Sequence, residues 1–521
     1  MKRYNLFGLL FLLLLGGCSY LDDYSQDLVV AKNVEHLDEL MIGSCYFQSN
    51  NITQMGNGEV AWFLNILDDD VTTVAVEGSR ANSITEMNNQ YYGYTTWQYE
   101  VGRSWNKSSL RDDAGTWNAL YQHINAVNIV LSELDNIDIP TDEEAIQATR
   151  IRGECHFLRA QFYFLLVNLY GNAYAPATAA QTLGVPLKLT AYVEHDKDKN
   201  TQFERASVAA VYDQIVRDLT DAITYLKEGG DANTLFRVSS SAAELLLSRV
   251  YLYMQDWENA EVHATNVIQG HSLMNYATVA TDGYPISEEN PEVLFSQGSL
   301  NIMKNIQGVA GDFGVSYDLY NLYLDEDYRK QLYFTNLYDV DEETTINSDS
   351  LGLRKYNRTL QRSYVSDIFT LRVAEAYLNA AEAYAMQNKE QEALNLLNEL
   401  RSNRIMNYTS QTYTQAGLVQ QIRDERRREL CFEGHRWFDL RRYAVCETYP
   451  FVKSIARNFA VYNETTMMLR YVEIYLLRPN DPAYTFQIPK AVTDFDTGME
   501  VNPREQRVLS GYLDLEDDNG E

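Results

Sequence analysis

Between Arg423 and Tyr443 the chain reads RDERRRELCFEGHRWFDLRRY: seven arginines, five carboxylates, one histidine and one tryptophan in 21 residues. Such a run could be an active site, a phosphate-binding patch or a structural clamp. On a helix, residues three and four apart are neighbours, so Arg426 is expected to meet Glu429, Glu425 to reach Arg428, and Glu429 to lie beside Glu433. Leu430, Trp437 and Leu440 fall on the apolar side. Charges of alternating sign satisfy one another, whereas a nucleic-acid patch needs clustered positive charge left free. His435 has no acid or cysteine at a spacing that marks a triad. The run is read as a clamp.

A second stretch, QYYGYTTWQYEVGRSWNKSSL (Gln90–Leu110), has the composition of a carbohydrate contact. Sugar C–H faces stack on aromatic rings, and their hydroxyls need amides or charged donors beside the stack. Tyr91, Tyr92, Tyr94, Trp97, Tyr99 and Trp105 supply rings; Gln98, Arg103 and Asn106 supply polar partners. The alternative is that these rings cap the core. Asp68, Asp69 and Asp70 could touch a calcium ion, but three carboxylates fall short of a full ligand set. The chain has no GxSxG, Walker A, HExxH or GxGxxG motif. GDFG at 311–314 has no catalytic loop before it, and the seven histidines lack metal-ligand spacing. A carboxylate pair for glycoside hydrolysis would meet only in the fold, and nothing in the sequence points to one.

The elements that must position these residues are mostly helical. A 3.6-residue period recurs from Trp117 onward. Residues 116–134 place Leu120, Ile124, Val127 and Leu131 on one stripe, and 143–171 form a longer helix closed by Gly171. Residues 240–270 and 371–404 each read as helix, tight turn, helix, with Ala242, Ala243, Ala260, Ala264, Ala374, Ala380, Ala381 and Ala393 where paired helices approach. DWENAEVHATNVI and NKEQEALNLLNEL resemble the second helix of a tetratricopeptide repeat. Between the helices lie long segments rich in Asn, Gly, Tyr and Asp. At 521 residues, with 45% hydrophobic and 22% charged content, the chain can bury a large core. Its net charge of −30 argues against nucleic acid and favours a neutral over a sulfated ligand. The 38 tyrosines suit a surface that touches something amphipathic.

The N-terminus, MKRYNLFGLLFLLLLGGCSY, has basic Lys2 and Arg3, an apolar run over residues 6–15, and Leu15-Gly16-Gly17-Cys18. The run is short for a membrane span and has the form of an export signal. Leu-Gly-Gly-Cys resembles a lipobox, at which Cys18 is acylated and becomes the mature N-terminus. Cys45, Cys155, Cys431 and Cys446 form no CxxC pair and no disulfide framework; Cys155 and Cys431 are expected as buried thiols.

These motifs together resemble the SusD/RagB family. The ER…EL…EG…R…DL…R run, the helix RGECHFLRAQFYFLLVNLYG, LRVAEAYLNAAEAYA followed by LNELRSNR, and the closing FQIPKAV occur in the family's order. Ala491 and Val492 depart from it, standing where an acid often follows the Ile-Pro. The resemblance implies a mostly α fold of tetratricopeptide-like helix pairs forming a curved scaffold, with long irregular loops and minor β packed on it. The implied layout is a signal peptide at 1–17 and a single domain at 18–521. Within the domain are an N-terminal segment with ligand loops (18–115), repeat helices (116–270 and 366–444), an irregular insertion (271–365) and an irregular C-terminal region (445–521). It implies a non-catalytic outer-membrane lipoprotein facing the cell surface, anchored through Cys18. Such a protein delivers glycan to a SusC-like TonB-dependent transporter, or peptide in the RagB branch, and has no nucleic-acid partner. By position in the family, Trp97 and Asn106 are put forward as ligand contacts, with Arg80, Tyr99 and Trp105 nearby and Tyr317 and Tyr320 in the insertion. No cofactor is implied, a structural calcium at Asp68–Asp70 aside. A surface glycoside hydrolase and a scaffold for a partner's helix are the competing classes.

Overall fold

The computed structural model describes residues 31–47, 60–73, 76–78, 89–108, 110, 113–192, 199, 201–297, 313–336, 344–346, 351–356, 365–463 and 468–514. Its longer helices are α1 (Gly115–Leu134), α2 (Asp142–Tyr170), α3 (Val208–Gly229), α4 (Ser240–Met254), α5 (Trp257–Gly270), α6 (Val373–Met386), α7 (Glu390–Ser402), α8 (Gln415–Leu430) and α9 (Arg436–Ala444). Their starts are written locally. The Thr141 hydroxyl accepts from the Glu144 N–H at 3.2 Å and donates to its carboxylate at 2.8 Å, and three acids fill the first turn of α2. Ser207, Ser239 and Asp256 cap α3, α4 and α5 in the same way. At its far end α2 stops at Gly171, which has φ −105°. The glycine is there for space: a Cβ would sit 2.8 Å from the Val167 carbonyl oxygen.

The helix–turn–helix units form as expected. Two residues link α4 to α5 and three link α6 to α7, each link using one left-handed residue, Gln255 (φ 63°) or Asn388 (φ 62°). Each of the helices from α1 to α6 packs on the next in chain order, and α6 also packs on α7 and α8. The eight alanines named above are fully buried, so they sit where helix backbones approach. Helices α5 and α6 pack directly although residues 271–372 run between them, so this long segment emerges from a closed seam. In the α1 stripe Leu120, Ile124 and Val127 are buried and Leu131 partly so.

The arginine-rich run is not one helix. Phe432 (φ 58°) and Gly434 (φ 75°) turn the chain between α8 and α9, and a Cβ on Gly434 would press on Ile368 at 3.3 Å. The local pairs expected of a continuous helix are therefore only partly made. Arg428 does bind Glu425 at 2.6 Å. Arg426 instead reaches around the corner to Asp439 at 3.0 Å. Glu429 turns to Arg329 (2.8 Å), Arg372 (2.6 Å) and Arg404 (3.0 Å), and Glu433 to Arg372 (2.8 Å) and Lys355. Leu430 packs with Ala374, Leu378 and Leu400, while Trp437 and Leu440 join the main core.

The clamp thus joins distant parts of the chain. Lys355, Arg329 and Glu292 come from the insertion, Arg372 from the strand before α6, and Arg401 and Arg404 from the end of α7. Arg427 and Arg436 hold Asp69 and Asp70 of the N-terminal segment. Burial pushes the Glu429 carboxyl up, but Arg404, Arg372 and Arg329 outweigh it and hold the group well below the usual carboxylate range. Burial and the surrounding cations push His435 well below its ordinary value, so it is neutral and its Nδ1 accepts from Arg426 at 3.2 Å. Cys45, Cys155, Cys431 and Cys446 are buried free thiols.

The strands are short except at the C-terminal end. β1 (Val71–Thr73) pairs antiparallel with β2 (Phe313–Val315), Val71 opposite Val315. β3 (Ile455–Tyr462), β4 (Leu469–Leu477) and β5 (Gly511–Asp514) form an antiparallel sheet with Phe459 opposite Glu473 and Glu473 opposite Tyr512. Residues 445–521 were expected to be irregular and instead contain this sheet. Charged Arg457 and Glu473 occupy positions on the inward face and break the alternation that marks a half-buried strand. The insertion contains strands 293–296 and 334–336, paired with 370–372 and 351–353, and helical turns Tyr317–Tyr320 and Tyr328–Tyr333.

Candidate functional site

Half of the ring cluster between 90 and 110 belongs to the core. Tyr91, Tyr94 and Trp97 are buried, with Tyr94 stacked on Phe63 at 4.8 Å. Trp97, expected as the leading stacking ring, is 1% exposed. It ends a helical turn at φ 56°, a left-handed conformation that costs a bulky residue about 1–2 kcal/mol. Its indole N–H donates to the Leu67 carbonyl at 2.8 Å, and the Arg457 guanidinium lies 5.6 Å from its ring. Arg457 in turn donates to the carbonyls of Asp68 (2.7 Å), Ile66 (3.3 Å), Thr95 (3.3 Å) and Val71, and burial holds its pKa down to about 10. Trp97 therefore positions the chain around residues 66–71 and presents no face to a ligand. Gln98 is buried as well.

The neighbouring residues do reach the surface. Tyr99 is 49% exposed, beside the Arg103–Glu100 ion pair at 2.9 Å. Trp105 is half-buried, stacked on Phe459 of β3 at 6.1 Å, with its indole N–H on the Glu473 carboxylate at 3.0 Å. The Tyr475 hydroxyl donates to the same carboxylate (2.8 Å) and meets Tyr92 (2.8 Å). Burial, followed by these hydrogen bonds, raises the Tyr475 phenol. Asn106 is exposed; its carbonyl oxygen accepts from Ser104 and from the Ser108 N–H and hydroxyl, and its amide nitrogen has no partner among the described residues.

Tyr317 and Tyr320 stand on the turn after β2, 6.3 Å apart and edge to face. Tyr317 is 47% exposed; Tyr320 packs on Phe334, with Lys330 5.0 Å over its ring. Ser316 fixes this turn to the Asp69 and Asp70 carbonyls at 2.7 and 2.8 Å. β1 connects the two groups, since it pairs with β2 while Thr73 donates to the Asn458 carbonyl of β3 at 2.6 Å. Trp105, through Phe459 of β3, and Tyr317 and Tyr320, on the turn after β2, thus rest on one connected set of strands. Arg80 and Cys18 lie outside the described residues.

Asp68, Asp69 and Asp70 do come together, but as an anion cluster already compensated. Arg436 (2.7 Å), Arg427 (3.2 Å) and Lys453 (2.6 Å) surround Asp69, and Arg427 holds Asp70 at 2.6 Å. Burial and its two acidic neighbours push the Asp68 carboxyl well up. A calcium ion would face three fixed cations, so these residues do not fit the metal.

A further groove was not foreseen. It has a volume of about 560 Å3 and lies between the start of α1, Phe203, and Val492 and Phe495 near the C-terminus. Trp117 and Tyr121, one turn apart and 5.0 Å between rings, form an aromatic wall; Asn118, Gln122 and Asn125 run beside it at the same helical spacing. The signal was present in WNALYQHIN as two adjacent stripes, but the apolar stripe of the same helix drew the reading. The dimensions suit a ligand with flat apolar faces and polar edges.

Comparison with known proteins agrees with this fold. A family model described as starch-binding and associating with the outer membrane matches residues 45–252, and the model of the SusD family matches residues 275–504. A SusD-like protein, P25, of Formosa agariphila is 24% identical over 401 residues, 65% of this chain and 71% of that protein. The crystal structure of a SusD superfamily protein from Bacteroides thetaiotaomicron superposes with a TM-score of 0.69 at 21% identity, covering 91% of this chain and 100% of the other. A SusD-like carbohydrate binding protein from Bacteroides vulgatus gives 0.64 at 20% identity, covering 89% and 97%. At these identities the structural likeness is one of fold.

Proposed function

The chain belongs to the SusD family, and we propose that it is a surface lipoprotein that captures a glycan and passes it, uncut, to a SusC-like TonB-dependent transporter. In this reading Cys18 carries the lipid that tethers the body to the outer membrane. None of the helices among the described residues is long and apolar enough to cross a membrane. The observation that carries the ligand class is a set of ordered surface rings, the aromatic ridge: Tyr99 and Tyr317 are about half exposed, and Trp105 has its edge fixed by Glu473. Rings held in place lose little freedom when a sugar stacks on them, and Asn106 offers an amide donor at the edge.

Affinity electrophoresis against a panel of polysaccharides tests this. Retardation by at least one glycan is expected, weakened by Tyr317→Ala or Trp105→Ala by about 1–3 kcal/mol, by analogy with stacking on nucleobases. Peptide binding with every glycan inert would overturn the reading in favour of peptide uptake. If Tyr121→Ala removes the retardation while both ridge variants keep it, the sugar sits in the α1 groove.

A further inference from the structure

Six of the seven arginines between 423 and 443 have a carboxylate partner; Arg441 has none among the described residues. Its side chain is 4% exposed. One terminal nitrogen, Nη2, donates to the Gly171 carbonyl at 2.5 Å and to the Thr485 hydroxyl at 3.3 Å. The other, Nη1, is buried and has no partner among the described residues. Burial holds the group's pKa down to about 10, so it remains a cation at neutral pH with no counter-ion. An unpaired buried charge of this kind is costly, and an anion from outside would relieve it.

Arg441 lines a cavity of about 270 Å3 between the end of α9, the loop after α2 and the turn after β4. The cavity is rich in donors. The Thr182 hydroxyl is buried without a partner among the described residues, Asn172 and Asn480 stand on the wall, and Lys453 lies at one side, bound to Asp69 at 2.6 Å. Arg504 adds positive charge from behind, 3.5 Å from the Thr485 carbonyl. The one acid on the wall, Asp481, is already held by Arg507 at 2.7 and 2.9 Å.

We propose that this cavity binds a carboxylate carried on a single small polar body. Nη1 of Arg441 would meet the carboxylate, with the Thr182 hydroxyl and the wall amides taking the remaining oxygens, a charge-assisted arrangement stronger than neutral hydrogen bonds. The volume lies just below the usual range for whole ligands, which fits one ring or one terminal residue and not a chain. The cavity shares no lining residue with the aromatic ridge, although Lys453 on its wall lies 3.7 Å from Asp318 of the Tyr317–Tyr320 turn. The strongly acidic average of the chain does not describe it: on its wall Asp481 is paired with Arg507 and Lys453 with Asp69, which leaves Arg441 as the uncompensated charge.

Two sources offer the group: a uronic acid residue and a peptide C-terminus. Titration calorimetry of the purified protein with glucuronate, glucose and N-acetyl-glycylglycine separates them. Binding of glucuronate at least tenfold tighter than of the dipeptide identifies an acidic sugar; the reverse order identifies a peptide end. Glucose is expected not to bind here. Arg441→Gln should weaken carboxylate binding at least tenfold. Because Arg441 also satisfies the end of α2 and its loss could unfold the protein, Ala173→Phe provides a second variant that fills the cavity and leaves those bonds in place. The proposal is overturned if glucose binds as well as glucuronate, if neither carboxylate binds the folded protein at millimolar concentration, or if Ala173→Phe folds and leaves carboxylate binding unchanged.

Discussion

Glu429→Gln keeps the shape of the side chain and removes one negative charge from the centre of the clamp. Three guanidiniums converge on that carboxylate, from Arg329, Arg372 and Arg404, and all four side chains are buried. Each arginine retains another acid: Asp327 and Glu425 for Arg329, Glu433 for Arg372, Glu292 for Arg404. The loss is therefore expected at the lower end of the cost of breaking a buried pair, about 3 kcal/mol of about 3–5. That is a large share of a folded protein's net stability, typically 5–15 kcal/mol. Urea unfolding followed by tryptophan fluorescence should show a lower midpoint at unchanged slope. The double variant Glu429→Gln/Arg372→Met should recover at least about 1 kcal/mol, because Glu433 then still has Lys355 and one buried excess cation is gone. A free energy of unfolding within about 0.5 kcal/mol of the parent, the usual spread for surface substitutions, would refute the clamp. Loss of glycan retardation at an unchanged midpoint would make the run a binding site.

Three further outcomes are expected. Folding stability should hold in neutral solution and decline on acidification in two stages. His435, depressed by burial, withdraws its contribution as pH falls below about 6.5, and the clamp carboxylates Glu429 and Glu425 withdraw theirs below about 4.3; His435→Asn should flatten only the upper stage in melts taken across pH. Trp97→Ala should lower the free energy of unfolding in urea by about 3–5 kcal/mol, as for other large core rings, whereas Tyr99→Ala should leave it unchanged and act on ligand affinity alone. Calcium or a chelator should leave the melting temperature where it is, since Arg427, Arg436 and Lys453 already neutralise Asp69 and Asp70; a rise of several degrees with calcium would show that the cations move aside.

The helical frame was legible because its signals are local: the Gly171 that closes α2, the 3.6-residue stripe of α1, and alanines at the close approaches. The role of the arginine run was also legible, from alternating charge, although its partners were not. Those partners lie far along the chain, at Arg329, Lys355 and Arg372, and no helical spacing connects them to Glu429. Trp97 shows the limit at the ligand surface. A ring beside Tyr and Gln in a polar loop has the composition of a sugar contact, yet a left-handed φ turns it inward onto the Leu67 carbonyl. Tyr99, two residues on, keeps the exposure that Trp97 lacks. The C-terminal sheet was hidden for an electrostatic reason, since Arg457 finds four backbone carbonyls inside and so occupies a position that an apolar residue would normally mark.

The closed seam between α5 and α6 leaves room for variation. Because those two helices meet directly, the frame does not depend on how long the intervening chain is, and doubling a loop's length adds only about 0.6 kcal/mol of closure entropy. What the segment must keep are its pinned points: Glu292, Arg329 and Lys355 in the clamp, and β2 beside β1. The intervals between those points can change length and composition while the frame stays as it is. A lineage changing its diet could therefore rewrite what this surface recognises by insertion and deletion there, with no need to find compensating changes in the helices.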